Sequence, residues 1–334
     1  EGRMKIRSNV KGDIRLNLES PYVLVHGRNG GGKSAVVHSV ELACFGEVRD
    51  AAGRTMKQKG RVMHLSSEED DLRAEVDFGG LSFKWPPGKR SYGMVNPLAL
   101  TMDIMTASTD KLLVYLMERL EEDHEVKLDY ANWDAVVKRH GQYRAALLEM
   151  YDNCSSCIRS YNKRLREHAV VQSWAQSLGE TDQARAVGLM IEADTETVRQ
   201  NKELLKEIKE KMANFIKGAL PGLEEKMLRF MPDGMDAPKF VWLGSELRLG
   251  FEGRPVPSGV EMIALAIALA AVTVPDESDS RHVWVLPDRA YDPITLGNIM
   301  RVLRGLFCRG VVIQSTILPE GYDFIDYGWE LVEV

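Results

Sequence analysis

Gly27-Arg28-Asn29-Gly30-Gly31-Gly32-Lys33-Ser34 is the stretch on which the fold of this chain turns. It fits G-x-x-x-x-G-K-[ST], a phosphate-binding loop. The apolar run Tyr22-Val23-Leu24-Val25-His26 before it reads as a buried strand, and Ala35 to Phe45 after it has helical spacing. Strand, glycine loop and helix are the context the motif needs. Glycines let the backbone curl so that its N–H groups face a phosphate, and the helix N-terminus adds a favourable partial charge. In that setting Lys33 reaches the β- and γ-phosphates and Ser34 ligates Mg²⁺. The bland alternative, a glycine-rich turn that binds nothing, leaves the agreement of motif and context unexplained.

Working outward, Met4-Lys5-Ile6-Arg7 and Asp13 to Leu18 alternate apolar and polar and predict two strands turning at Lys11-Gly12. A loop rich in Gly, Lys and Arg covers about residues 46–61. Leu72 to Phe78 and Leu81 to Trp85, joined by Gly79-Gly80, predict a hairpin. About residues 109–121 form an amphipathic helix with Thr109 as N-cap.

The middle of the chain differs. From Trp133 to Leu178 there is no proline, and Tyr143, Leu147, Met150, Cys154, Cys157, Tyr161, Arg164, His168, Val171, Ala175 and Leu178 recur with 4-3 spacing. After a stop and restart at 178–182 the pattern resumes with Val187, Ile191, Asp194, Val198, Asn201, Leu205, Ile208, Met212 and Phe215. Gly218 and Pro221 are expected to end it. This predicts an antiparallel coiled-coil hairpin with arms of roughly 50–70 Å. Asp194 and Asn201 at seam positions cost stability but fix register. Two ordinary helices of a globular domain are the alternative.

Beyond Pro221, Lys239–Leu243 and Glu246–Phe251 read as a hairpin, Ser258-Gly259-Val260-Glu261 opens an apolar helix, and Val283–Leu286 is a buried strand. A helix over about 294–307 and the strand Gly310–Thr316 follow. Strands and helices at both ends with a helical insertion imply one α/β domain built from two sequence-distant halves. The expected boundaries are 1–128 for the N-terminal lobe, 129–218 for the hairpin and 219–334 for the C-terminal lobe.

Composition bounds the rest. The 334 residues are 44 % hydrophobic and 28 % charged, with a formal net charge of −6, so nucleic acid can be met only through a local basic patch. Four cysteines make no disulfide framework, which together with the lack of a visible signal peptide or membrane span predicts a cytoplasmic or nucleoid-associated protein.

In this order the motifs resemble the ABC-type ATPases of the SMC, RecF and SbcC class. Gly27–Ser34 resembles their G-x-N-G-x-G-K-[ST], and Glu41 to Gly46 resembles the end of the helix that follows. Ser258-Gly259-Val260-Glu261 resembles the S-G-G-E signature. Val283–Asp288 falls where Walker B belongs, Tyr291-Asp292-Pro293 resembles the D-loop, and Val311–Thr316 is the next strand. The resemblance implies an ABC-type P-loop head with ATP and Mg²⁺ as cofactors. Asn29, Gly30, Gly31, Gly32, Lys33, Ser34 and Ala35 hold the nucleotide. Ser258, Gly259, Glu261 and Asp292 complete its site in a homodimer of ATP-sandwiched heads, with Ser258 acting in trans. Ser34 and Asp288 serve the metal, and Asp288, Lys33 and Thr316 are the catalytic candidates for hydrolysis of ATP to ADP and phosphate. The resemblance further implies DNA as a partner, a role in recombination, repair or replication, and a nuclease chain regulated by this one.

The departures are specific. Walker B normally ends in Asp-Glu; here Leu286-Pro287-Asp288-Arg289 offers one carboxylate, either the metal-side Asp or a stand-in for the catalytic Glu. Arg289 is no base. The γ-phosphate-sensing His is replaced by Gln314-Ser315-Thr316. No clear Q-loop glutamine is present: Gln58 lies too early, and the stretch near Met102-Asp103 has none. These departures support a second reading, a slow-turnover ATP-gated clamp or scaffold that binds protein partners. A P-loop kinase would leave the signature and coiled coil unexplained.

Cys154-Ser-Ser-Cys157 has zinc-hook spacing but sits within the helical stripe, away from the turn, so core packing is favoured. Arg159, Lys163, Arg164 and Arg166, with Lys138, Arg139 and Arg144, form a basic stretch that either tracks a DNA backbone or is a solvated face. Lys5, Arg7 and Arg54 are further candidates for nucleotide or DNA contact.

Overall fold

Strands β1 (Met4–Ser8) and β2 (Ile14–Leu18) form the expected hairpin. Its turn places Lys11 at φ 53° and Gly12 at φ 139°, conformations that glycine adopts without strain. The computed structural model describes residues 3–50, 55–56, 60, 65, 72–87, 94–274 and 281–334; Arg54 and Gln58 lie outside the described residues. Strand β3 (Tyr22–His26) leads into α1 (Lys33–Phe45), and β4 (Ala74–Phe78) and β5 (Leu81–Trp85) make the second hairpin. Helices α2 (Pro97–Met105), α3 (Thr109–Arg119) and α4 (Trp133–His140) precede the two long helices α5 (Tyr143–Ser177) and α6 (Thr181–Leu228). The chain closes with β6 (Pro238–Leu243), β7 (Glu246–Phe251), α7 (Gly259–Thr273), β8 (Val283–Leu286), α8 (Pro293–Gly305), β9 (Gly310–Ser315) and β10 (Glu330–Glu333).

Two four-stranded sheets carry the head. One is antiparallel, in the order β2-β1-β4-β5; the other is parallel, in the order β10-β3-β9-β8. Both neighbours of β3 come from the far end of the chain, so the phosphate-loop strand is paired only when the two lobes join. Helix α1 lies in one core cluster with both sheets: Val36, Val40 and Leu42 share it with Ile6, Val76 and Phe78 of one sheet and with Val25, Val285 and Val312 of the other. A helix buried between layers is apolar nearly all round, unlike a surface helix with one apolar stripe. The opposite face of the parallel sheet (Leu24, Trp284, Leu286, Val311, Ile313) packs with Ile263, Ala266 and Ile267 of α7, Leu296 and Ile299 of α8, and Leu98 of α2. Burial on both faces explains the unbroken apolar runs of β3, β8 and β9. The ABC-type head built from N- and C-terminal lobes, expected from the sequence, is the architecture observed.

The chain divides into two compact units, residues 1–108 with 222–334, and residues 109–221. Helix α3 therefore groups with the helical unit. There, α5 and α6 run antiparallel. Arg164 lies 3.1 Å and His168 3.4 Å from the Asp194 carboxylate, and the Gln172 amide donates to the Ala184 carbonyl at 3.3 Å. At ~1.5 Å per residue the arms are about 52 and 72 Å long.

Two details of the hairpin differ from the expectation. The stripe on α5 slips at its end: Val171 and Leu178 are exposed and Gln172 meets α6 instead, while Ala175 is buried as expected. An apolar-to-polar count misses this because Gln172 satisfies its amide on a facing carbonyl. Pro221 does not end α6, which continues to Leu228 with the proline inside it. The last turns are held by tertiary contacts: Leu223 and Met227 are buried, and Glu224 pairs with Lys239 at 2.8 Å and accepts from the Phe240 amide at 2.8 Å. Such contacts offset the hydrogen bond that proline removes.

Cys154 is buried and Cys157 half-buried on α5, more than five turns from the hairpin loop, in keeping with core packing. Among the described residues no cluster of three or more His, Cys, Asp or Glu could hold a metal. No helix among them is long and apolar enough to cross a membrane.

Candidate functional site

The phosphate loop runs from the end of β3 to the start of α1. Gly30 (φ 84°) and Gly32 (φ 104°) take left-handed backbone that L side chains rarely adopt. Gly27 is required for another reason: a Cβ there would stand 2.2 Å from the Val334 carbonyl oxygen, at the end of β10. Gly32 is the N-cap of α1 and provides no side-chain cap. The Ala35 amide donates to the Gly32 carbonyl at 2.8 Å, and no side chain caps the amides before it, so this N-terminus is open to an anion.

Lys33 is 4 % exposed. Its ammonium donates to the carbonyls of Gly27 at 2.9 Å and Arg28 at 3.1 Å, and lies 3.8 Å from the Asp288 carboxylate. A buried ammonium needs such partners, and all of them can be exchanged for phosphate oxygens. Asp288 follows the end of β8 in a short loop tied down at both ends. Tyr291 is buried and its hydroxyl donates to the Pro287 carbonyl at 3.0 Å, while the Asn96 amide donates to the Val285 carbonyl at 3.2 Å.

A cavity of ≈ 220 Å³ opens beside the loop, with Ser34, His38, Asn96, Asp288 and Gln314 in its lining. The Ser34 hydroxyl donates to the Gln314 amide oxygen at 3.4 Å. At the far side Glu41 and Arg49 complete the wall. Burial pushes the Glu41 carboxyl up to about 8, against the backbone N–H of Arg49 that stabilises its anion. Arg49 itself makes a two-pronged pair with Asp103, at 2.9 and 2.6 Å. The oxygens beside the loop that are open to a cation are the Ser34 hydroxyl and the Asp288 carboxylate, since the amide oxygens of Asn96 and Gln314 accept from Ala99 and Ser34. That set suits Mg²⁺, which keeps several waters and takes few protein ligands besides phosphate.

The remaining candidates are placed elsewhere. Ser258 is the N-cap of α7 and closes a capping box with Glu261: its hydroxyl accepts from the Glu261 amide at 3.4 Å, and the Glu261 carboxylate accepts from the Ser258 amide at 2.7 Å. That backbone bond, helped by Arg254 at 2.8 Å, holds the Glu261 carboxyl below its usual range. Neither Ser258, Gly259 nor Glu261 lines the cavity. Asp292 caps α8, accepting from the Thr295 amide at 2.9 Å, and hydrogen bonds from the Thr295 side chain and then its backbone hold its carboxyl below the usual range. Thr316 is exposed just past β9, and Ser315, buried, accepts from the Ile317 amide. Asn29, Gly30 and Gly31 are exposed along the loop and Ala35 is buried in the first turn of α1.

Asn96 and Gln314 are among the cavity residues that were not singled out by sequence as site residues. Asn96 caps α2 ahead of Pro97, a start signal that was legible. Gln314 interrupts the buried run Val311-Val312-Ile313, and a polar residue in a strand buried on both faces is itself a signal. Three residues of the basic stretch are in ion pairs: Arg139 with Glu149, Lys163 with Glu167 and Arg164 with Asp194. Lys5 and Arg7 sit on the exposed side of β1, cross-strand from Asp77 and Glu75.

The model of the family described as AAA domain matches residues 4–218. No curated protein matches the chain. Among solved structures it is similar to an Smc head domain with an extended coiled coil, bound to the C-terminal domain of ScpA, from Pyrococcus furiosus. That match has 14 % identity, covers 94 % of this chain and 89 % of that one, and has a TM-score of 0.37. It is also similar to the recombination mediator RecF with ATP, of the RecFOR pathway, with 12 % identity, 96 % and 93 % coverage and a TM-score of 0.38.

Proposed function

The chain belongs to the AAA domain family, and from that premise we propose that it is an ATP-dependent dimerising head that acts on DNA in recombination, repair or replication. The observation that carries the nucleotide part is the uncapped N-terminus of α1 beside a buried Lys33, with Ser34 and Asp288 facing the same cavity. On binding, Lys33 exchanges two loop carbonyls for phosphate oxygens, and the amides of α1 receive the negative charge. Ser34 and Asp288 are the residues that would hold Mg²⁺, which would supply charge neutralisation on the phosphoryl group. Asp288 is the one carboxylate at the end of β8 and accepts the hydrogen bond of an attacking water. The strand end Leu286-Pro287-Asp288-Arg289 offers one carboxylate where Walker B has two, which supports slow turnover.

Ser258 and Gly259 are exposed at the start of α7 and outside the cavity of their own chain. This supports a role on the nucleotide of a second copy, where the α7 N-terminus faces the γ-phosphate. The second reading, a clamp that binds protein partners through its arms, is favoured by one observation: Lys163 and Arg164 of the arm, and Arg139 of α4, are spent on ion pairs within the helical unit.

The deciding measurement is solution mass with and without ATP·Mg²⁺ for the native chain, Lys33→Ala and Ser258→Arg, with phosphate release followed in the same samples. ATP is expected to double the native mass and neither variant's. An unchanged native mass would remove the composite-site reading. DNA binding that falls steeply with salt supports the first role, and its absence at low salt leaves the clamp.

A further inference from the structure

We infer that Gln314 is the positioning residue of the cation site, setting the Ser34 hydroxyl so that its lone pairs point at the metal. The inference rests on the nucleotide reading above and assigns a task to a residue that no motif contains.

The argument begins with the strand. β9 is the inner strand between β3 and β8, and Val311, Val312 and Ile313 are fully buried. An amide in that row costs free energy unless its polar atoms are satisfied. Gln314 is 6 % exposed and follows Val312 on the face turned to α1. Its register partner on β3 is Val25, two residues before the phosphate loop. The side chain therefore emerges at the α1 N-terminus, where its oxygen meets the Ser34 hydroxyl at 3.4 Å.

The chemistry of a serine ligand explains why that contact matters. A hydroxyl has one hydrogen and two lone pairs. When a lone pair serves a cation, the hydrogen must be sent to an acceptor on the other side. Otherwise the rotor points hydrogen at the metal part of the time. Asp288 is poorly placed for this duty, because its carboxylate lies 3.8 Å from the Lys33 ammonium and is the charged ligand of the site. Gln314 is a neutral acceptor, so it fixes the rotor without adding charge. The same requirement settles the orientation of its amide, with oxygen toward Ser34. Partners that orient a ligand in this way are worth roughly 10- to 100-fold in metal affinity.

The test is the affinity for a fluorescent ATP analogue, measured with Mg²⁺ and with EDTA, for the native chain, Gln314→Met, Gln314→Leu and Gln314→Glu. Melting without nucleotide checks that each variant folds. The Met and Leu variants are expected to lose about tenfold of the Mg²⁺-dependent gain, while their affinity in EDTA stays within about twofold of native. Gln314→Glu, which keeps an acceptor at the same reach, is expected to restore the gain. If a folded Met or Leu variant keeps the full Mg²⁺ effect, the inference is overturned. Equal losses with Mg²⁺ and with EDTA also overturn it, since Gln314 would then support the loop and not the cation. If the native chain binds no analogue in either condition, the nucleotide reading itself fails, which is a different outcome from either of these.

Discussion

Helices α1 and α7 are both buried on nearly every side, and they begin in opposite ways. α1 starts on Gly32, a residue with no side chain in a left-handed conformation, and its first amides have no cap. α7 starts on Ser258, whose hydroxyl and the Glu261 carboxylate close a reciprocal box. α2 and α8 are also capped, by Asn96 and Asp292. Capping contributes about 1 kcal/mol per helix, so an open end forgoes stability that the other three take. The difference separates an end kept for a ligand from an end whose amides are already capped. If α7 meets a γ-phosphate, the Ser258 hydroxyl can donate its hydrogen to it while still accepting from the Glu261 amide.

The comparison breaks most severely if α1 is given a cap. Gly32→Asp places a carboxylate at the phosphate position and forces a side chain onto φ 104°. Nucleotide affinity is expected to fall by more than about 100-fold, roughly 2.7 kcal/mol, as read by equilibrium binding. Ser258→Asp at the start of α7 keeps a capping side chain and is expected to leave the melting temperature nearly unchanged.

A second difference lies inside the helices. The buried stretch Ile263–Ala270 of α7 is wholly apolar, whereas α1 buries Ser39 and Glu41. The Glu41 carboxyl, near 4.5 when exposed, is raised to about 8 in the fold by burial. Between those values the folded chain holds a proton that the unfolded chain has lost, so stability falls as pH rises from about 4.5 to about 8. Glu41→Gln removes this slope. The variant is expected to melt close to native at pH 5 and higher than native at pH 9, by on the order of a few kcal/mol. Parallel melting curves at the two pH values, with equal offsets, would show that Glu41 does not carry the proton.

Opening the α7 box is a smaller change. Glu261→Ala removes the acceptor of the Ser258 amide and one partner of Arg254, and is expected to cost about 1 kcal/mol. Asp292→Ala at α8 should cost about the same. Denaturant midpoints at constant slope measure both.

What could be read from the residues follows from locality. The phosphate loop, both hairpins of the antiparallel sheet, and α7 to β9 are specified by glycines, caps and short apolar runs within a few positions of one another. The pairing of β3 with β9 and β10 is a contact across some 290 residues, and only its coarse form, one α/β domain built from two sequence-distant halves, followed from the strands and helices at both ends of the chain. The misread details are those where a distant partner overrides a local rule. Glu224 and its contacts carry α6 through Pro221, and a carbonyl on the facing helix lets Gln172 replace Val171 on the seam. The role of Gln314 went unread for the same reason. Its partner Ser34 is 280 positions away, and nothing beside it in the chain says what the amide is for.

The smallest expected change in stability is the most informative about α7. Ser258→Gly leaves a residue that serves well as an N-cap, with a loss of only a few tenths of a kcal/mol. Glu261 can still accept from the backbone amide at 258, because that bond needs no side chain. The variant therefore retains the head, the helix and the nucleotide loop, and lacks one hydroxyl. If that hydroxyl serves only the cap, ATP·Mg²⁺ should still double the solution mass. If it serves the γ-phosphate of a second copy, the ATP-dependent dimer should weaken by roughly tenfold or more, the scale of one hydrogen bond to a charged group, while single-chain nucleotide affinity stays native. Dimerisation that survives unchanged would place Ser258 with Asn96 and Asp292 as a cap alone and leave Gly32 as the one helix start, among these four, reserved for phosphate.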